Sequence, residues 1–142
     1  MANYYATARS NYFAVKDENA FREWAERTGL SILEPDHHEK VADGIRRFAI
    51  TPKSGGDDDG WPISRLDPDT DGWEDIDVCD ELWPHLADNE VAVLLEVGSE
   101  KLRYVTGTAV AVNNKGRTVR VNLESIYQAA RRLGSNITEA TY

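Results

Sequence analysis

One run of alternating aspartates reads Asp67-Pro68-Asp69-Thr70-Asp71-Gly72. It matches the first half of a calcium-binding loop, in which alternate carboxylates converge on the ion and glycine permits a sharp turn. The bidentate glutamate expected at loop position twelve is replaced by Val78. Asp67, Asp69 and Asp71 are therefore weak metal candidates, and an aspartate-rich turn is the simpler interpretation.

Other reactive residue types lack the spacing that catalysis or metal binding requires. His37 and His38 are adjacent, and His85 follows Pro84 where a helix is predicted to end, so no shared metal ion is indicated. The single cysteine, Cys79, is surrounded by acids that disfavour a thiolate, and it cannot form an intramolecular disulfide. Nucleophile-elbow, dinucleotide-binding and P-loop motifs are absent from the sequence. We therefore expect a protein that is not an enzyme and that holds no cofactor.

Acidic residues are concentrated in residues 57–81, which we call the acidic segment. The chain has 25 acidic and 16 basic residues among 142 and a net charge of −9. The acidic segment alone has a net charge of −10 with one base, Arg65, whereas residues 1–56 and 82–142 are almost neutral. Such a block repels nucleic acid and attracts a basic groove on a partner. Its eleven acids are Asp57, Asp58, Asp59, Asp67, Asp69, Asp71, Glu74, Asp75, Asp77, Asp80 and Glu81.

Two tryptophans indicate that the acidic segment is folded. Asp59-Gly60-Trp61 is repeated as Asp71-Gly72-Trp73, which predicts two turns whose indoles fold back onto the body of the protein. Alternate residues of an extended chain lie roughly 6.6–6.8 Å apart on one side. We therefore expect Asp67, Asp69 and Asp71 to form an extended row of negative charge, continued by Asp75 and Asp77.

The composition predicts one globular domain over residues 1–142. A hydrophobic fraction of 41% is too high for general disorder, and the length suits a single core. The first residues lack the apolar core of a signal peptide, and the chain has no apolar run of 18 residues. We expect a cytoplasmic protein with no membrane contact.

The pattern of residues predicts the order β-α-β-β-loop-α-β-β-β-α. Strands are expected at about 4–15, 31–34, 45–51, 90–97, 101–113 and 117–123, with a hairpin turn at Asn113–Gly116. An irregular acidic stretch is expected at about 55–75, with a short extended piece near 61–65. Helices are expected at about 18–28, amphipathic and capped by Asp17 and Gly29, from Asp75 or Asp77, and over 124–133 with Ile126, Ala130 and Leu133 facing inward. Because the strands come in hairpins, we expect an α+β fold: a mostly antiparallel sheet of about five strands, with two to three helices packed on one face.

Small size, a single domain, missing catalytic motifs and the acidic block at Asp57–Glu81 together resemble the small acidic anti-defence proteins of phages and plasmids. These are the anti-CRISPR and antirestriction inhibitors, several of which mimic nucleic acid. The resemblance implies an inhibitor that binds a partner protein. It transfers no residue roles to this chain.

The leading hypothesis is a non-enzymatic inhibitor or binding protein that engages a basic, nucleic-acid-handling partner through its acidic segment, without binding nucleic acid directly. The alternative is a cation-stabilised small-ligand or accessory module that uses the turn from Asp67 to Asp71. A third hypothesis is an oligomer in which strand 101–113 pairs across a dimer, so the chain would be a monomer or a homodimer. The leading hypothesis assigns partner binding to Asp57, Asp58, Asp59, Asp67, Asp69, Asp71, Glu74, Asp75, Asp77, Trp61 and Trp73.

Overall fold

The computed structural model describes residues 4–35, 44–53, 60–101 and 103–140. They form an α+β fold with an antiparallel main sheet, which confirms the predicted fold class. The elements, in chain order, are β1 (Tyr4–Ser10), α1 (Glu18–Arg27), β2 (Leu30–Leu33), β3 (Ala49–Pro52), β4 (Ser64–Leu66), β5 (Trp73–Asp75), α2 (Val78–Leu82), β6 (Val91–Glu100), β7 (Tyr104–Asn113), β8 (Thr118–Asn122) and α3 (Ser125–Ala130). The strand order of the main sheet is β1-β6-β7-β8.

The main sheet has four strands rather than five, and β2–β3 and β4–β5 form separate two-stranded sheets. Its centre is the long pairing of β6 with β7, from Val91 opposite Asn113 to Glu100 opposite Tyr104. The turn into β8 is the predicted one: Gly116 has a φ of 78°, and Asn113 Oδ1 accepts the backbone N–H groups of Lys115 and Arg117. This turn brings β8 back along β7.

Helix α1 has the capped, amphipathic form that the sequence predicts. Asp17 caps it by accepting the N–H of Ala20 at 3.1 Å, and Gly29 follows its end with a φ of 74°. Its buried face consists of Phe21, Trp24 and Ala25. At ten residues it is too short to cross a membrane, and no helix in the described ranges is long and apolar enough to do so.

Aromatic rings from three parts of the chain meet in the core. Phe13, Phe21 and Phe48 are essentially inaccessible to solvent, and Phe21 lies 5.8 Å from Phe13 and 5.9 Å from Phe48 between ring centroids. Burying each such ring contributes about 1.5–3 kcal/mol. The core cluster extends to β6 and α2 through Phe13, Phe21, Trp24, Ala25, Leu30, Phe48, Ile50, Val78, Cys79, Leu82, Leu86, Ala92, Leu94 and Val112.

The structure differs from three predictions about the elements. The acidic stretch is more regular than expected, because β4, near the expected extended piece, pairs with β5 as a hairpin. Strand β7 cannot pair across a dimer along its length, since β6 and β8 already occupy both of its edges around residues 108–112. The last helix is shorter than predicted and has no buried residue, with Ile126 at 61% and Leu133 at 93% exposure. An amphipathic pattern predicts an apolar stripe but not a surface to cover it.

His85 makes the stability of the core depend on pH. Its ring lies 5.4 Å from Trp24 and 6.2 Å from Phe21 between centroids, at the end of a 3-10 turn over Trp83–His85. Burial, and then the positive charge of Arg27, lower the pKa of His85 below its usual value of 6.5. The folded protein therefore favours neutral His85 more strongly than the unfolded chain does.

We predict that the free energy of unfolding falls between pH 7.5 and pH 5.5. A lowered folded-state pKa gives stability that is present above about 6.5 and is lost as pH falls through the folded-state value. His85→Gln should show a smaller fall over the same range in urea denaturation, because both proteins keep His37, His38 and all carboxylates. Equal pH dependence in the two proteins would contradict this role for His85.

Candidate functional site

The acidic segment folds as a β-hairpin followed by a short helix. Strand β4 pairs with β5 so that Arg65 faces Glu74 and Leu66 faces Trp73. Paired residues share one side of a hairpin, so Arg65 and Glu74 lie on one side and Leu66, Trp73 and Asp75 lie on the other. The first side contacts the body of the protein, and the second faces solvent.

The connecting turn is closed by its own hydrogen bonds. The N–H of Asp67 donates to the carbonyl of Gly72 at 2.7 Å, and the N–H of Asp69 donates to Asp67 Oδ1 at 2.9 Å. Asp71 has a φ of 54°, in the left-handed region that aspartate tolerates better than most residues. The predicted extended row of Asp67, Asp69 and Asp71 is therefore wrong. The turn gathers these aspartates at a hairpin tip.

Arg65, the one base of the acidic segment, fastens the hairpin to the body. Its side chain is 13% exposed, and its guanidinium forms ion pairs with Glu74 across the hairpin and with Glu81 of α2. It also donates to Thr28 Oγ1 at 3.0 Å, while Trp24 Nε1 donates to Glu81 Oε1 at 2.9 Å. The hairpin is thereby joined to the end of α1 and to α2. We call this group, Arg65, Glu74, Glu81, Thr28 and Trp24, the Arg65 cluster.

Charge compensation keeps the half-buried Arg65 ionised. Burial alone lowers its pKa, but the hydrogen bonds that Arg65 donates to Glu74 and Glu81, together with the negative charges of these carboxylates, outweigh it, and the pKa of Arg65 is raised overall. The ion pair with Arg65 uses the Glu74 carboxylate within the hairpin. The assignment of Glu74 to partner binding stays a prediction.

Five other acids of the segment remain exposed. Asp77 caps α2 by accepting the N–H of Asp80 at 3.0 Å, as the sequence predicts. Within the described ranges, none of the five forms an ion pair, whereas Glu18, Glu26 and Glu34 of the N-terminal part are all paired with arginine or lysine. The charge of these five acids is therefore not used in ion pairs there, although Arg120 of β8 lines the same cavity as Asp77. We call these residues the anionic surface: Asp69, Asp71, Asp75, Asp77 and Asp80.

The two tryptophans of the segment have different environments. Trp61 packs partly buried against the core, and its backbone N–H donates to Glu96 Oε1 at 2.7 Å, which confirms its predicted anchoring role. Its indole Nε1 is buried and has no acceptor among the described residues. Trp73 is 75% exposed, so the prediction that it folds back onto the body is wrong. Asp57, Asp58 and Asp59 lie outside the described residues.

Exposed apolar side chains accompany the anionic surface. Ile63 is 78% and Leu66 51% exposed, and Leu66 and Trp73 line a shallow cleft that reaches Arg27 at the end of α1. The sequence reasoning missed the exposure of Ile63 and Leu66. Their alternation with polar residues was a signal for a strand, but it did not show that the solvent side would carry Leu66 and Trp73.

The described residues contain no group of three histidine, cysteine, aspartate or glutamate side chains placed to hold a metal ion. Asp67, Asp69 and Asp71 all belong to the described part, so the calcium hypothesis gains no support from their geometry. Cys79 is buried, as predicted, and burial together with Asp77 raises the pKa of its thiol. His37 and His38 lie outside the described residues.

We predict that Arg65→Met lowers the free energy of unfolding by about 1–3 kcal/mol, because it leaves Glu81 and Glu74 without their cation in a half-buried place. Urea denaturation measures the loss. Arg22→Met is the matched control, since Arg22 also binds two glutamates, Glu18 and Glu34, but in an exposed setting where water screens the charges, so its loss should be the smaller one. Equal losses in the two variants would show that the Arg65 cluster is no stronger than a surface ion pair.

Comparison with known proteins gives no match: no protein-family model, no curated protein and no solved structure is similar to this chain. The hairpin must therefore be interpreted from its own contacts. Those contacts combine a fixed attachment on one side with exposed carboxylates, Leu66 and Trp73 on the other.

Proposed function

We propose that this chain is a non-enzymatic binding protein whose hairpin engages a basic surface of a nucleic-acid-handling protein and inhibits it. The observation that carries the proposal is the anionic surface itself: five exposed aspartates that form no ion pair with any described residue, on the hairpin that carries exposed Trp73 and on α2. The proposed type of activity is that of an anti-CRISPR or antirestriction inhibitor acting inside the cell.

Electrostatics supports a basic partner. Grouped charges of one sign attract an oppositely charged surface, speed association and make binding sensitive to salt. The Arg65 cluster fixes the hairpin before binding, so less conformational entropy is lost when the partner docks. Surfaces that bind the phosphates of nucleic acid are lined with lysine and arginine. A compact group of carboxylates on a fixed hairpin is complementary to such a surface.

Trp73 gives the proposed interface an apolar centre. Exposed tryptophans are enriched among the residues that contribute most to binding, especially when less important contacts surround them and exclude water. Trp73 and its cross-strand neighbour Leu66 lie on the same side of the hairpin as Asp75. We propose that the indole enters a pocket on the partner while the aspartates around it pair with basic side chains.

The triple variant Asp69→Lys, Asp71→Lys and Asp75→Lys should weaken binding at least about a hundredfold at low salt and flatten its salt dependence. The partner is first captured from cell extract and eluted with a salt gradient, and its affinity is then measured by calorimetry at several salt concentrations. Glu23→Lys, Glu124→Lys and Glu139→Lys form the matched control, because they change net charge equally at exposed positions elsewhere.

The control should keep most of the affinity, since its charges lie outside the hairpin. Equal weakening by both triple variants would mean that only the total charge matters. Unchanged affinity in the hairpin variant would refute the electrostatic part of the proposal.

Trp73→Ser should weaken binding about 10- to 100-fold with almost no change in the salt dependence, because it removes an apolar contact and no charge. Stability in urea should change by less than about 0.5 kcal/mol, since the side chain is largely exposed. Leu133→Ser, at a position 93% exposed outside the hairpin, is the control. Full affinity after Trp73→Ser would remove Trp73 from the interface.

A further inference from the structure

One face of the main sheet is apolar and open to solvent. Side chains of paired residues share a side, and the rows that contain Leu94 and Ala92 face the core. The alternate rows therefore form the outer face. It consists of Val93, Leu95 and Val97 on β6, Val105, Gly107, Ala109 and Ala111 on β7, Val119 and Val121 on β8, and Leu123 just after β8, with Tyr5, Thr7 and Arg9 of β1 along one edge.

Much of the outer face remains accessible. Val97 is 58%, Val119 69% and Val121 60% exposed, although valines in strands are ordinarily packed on at least one side. Antiparallel sheets with one solvated face normally present polar side chains there. Contiguous exposed apolar patches of this kind mark interaction surfaces in soluble proteins.

The shape of the outer face is complementary to the same face of a second copy. Across the sheet, each row places a small residue between two larger ones: Val93-Ala111-Val119 and Leu95-Ala109-Val121. In the next row Leu123 leans over Gly107, with its Cγ 2.9 Å from the point where a Cβ on Gly107 would lie. Strand β7 is thus a shallow groove between two ridges. A ridge of one molecule fits the groove of another that carries the same face.

Charge also favours a second copy. The outer face on β6, β7 and β8 carries no ionisable side chain, although the chain has a net charge of −9. The anionic surface comes after Trp61 in the chain, and the backbone N–H of Trp61 donates to Glu96, a residue of the core-facing rows. The grouped acids are therefore attached on the side of the sheet opposite to the outer face. Two copies can therefore meet through their outer faces without opposing their grouped acids, and the charged residue of the face, Arg9, lies at its β1 edge in an exposed position.

The size of the face agrees with a dimer. Four strands about 4.8 Å apart and about eight residues long cover roughly 500 Å² in projection on each copy. Two copies would bury on the order of 1,000 Å², near the lower limit for a specific interface. Sheets packed face to face lie about 10 Å apart, with their side chains interdigitating.

We infer that the chain forms a homodimer in which the outer faces of two main sheets pack against each other across a two-fold axis. This dimer differs from strand pairing at a sheet edge, because its contacts are side chains and no backbone hydrogen bonds join the copies. It leaves the hairpin of each copy free.

Sedimentation equilibrium of the full chain at 10–100 µM tests the inference. The wild type should have twice the 15.9 kDa chain mass. It should keep that mass in 1 M NaCl, since apolar burial is not weakened by salt screening. A wild type that remains monomeric at these concentrations would overturn the inference.

Two variants locate the interface. Val121→Lys and Val97→Lys each place a charge on the outer face at an exposed position and should raise the dimer dissociation constant at least about a hundredfold. Thr118→Lys is the matched control: it adds the same charge to β8, at an exposed position on the opposite side of the strand. Circular dichroism and thermal melting verify that all three variants fold.

The control should remain dimeric. Equal dissociation in Thr118→Lys and Val121→Lys would indicate pairing at the edge of β8 and would overturn face-to-face packing, as would a fully dimeric Val121→Lys. The hairpin variant with three lysines should stay dimeric, so failure of the proposed partner binding and failure of the dimer can be told apart.

Discussion

The ion pairs of Arg65 decide how the acidic part of this protein is arranged. One guanidinium holds Glu74 on the hairpin and Glu81 on α2, and it reaches Thr28 at the end of α1. Because like charges repel, eleven acids in 25 residues would otherwise favour an expanded segment. Two carboxylates are used to bind the single base, and the five aspartates of the anionic surface are left facing water. Some acids of the segment therefore attach the hairpin to the body of the protein, and others form the exposed anionic surface.

The anionic surface and the outer face of the main sheet rely on different interactions. The anionic surface relies on charge, which acts at a distance and is screened by salt, whereas the outer face relies on apolar burial, which acts only at contact. The main sheet separates them, since Trp61 and the hairpin join the core-facing rows through Glu96. A dimer through the outer faces would present two hairpins. A partner with two basic sites within reach would then be bound more tightly than by one hairpin alone.

Local signals allowed much of the fold to be predicted. Asp17, Gly29 and the turn at Asn113–Gly116 act within a few residues, so their effects are visible in sequence. Burial was wrongly predicted for Trp73 and for the last helix. Burial depends on which other residues pack against a side chain, and the apolar character of a residue does not show whether such residues are present. For the site, clustering of the acids was visible in advance. The pairing of Arg65 with Glu74 and Glu81 was not, because it depends on how the hairpin and α2 meet in three dimensions.

The contrast between the indoles gives the molecule a built-in optical reporter. Trp24 is buried, Trp61 and Trp83 are partly covered, and Trp73 alone among these stands largely in water at the hairpin. Indole fluorescence shifts to longer wavelength in polar surroundings and is quenched by collision with dissolved ions, so the red edge of the emission spectrum belongs mainly to Trp73. Events at the hairpin can therefore be followed by light without attaching a dye.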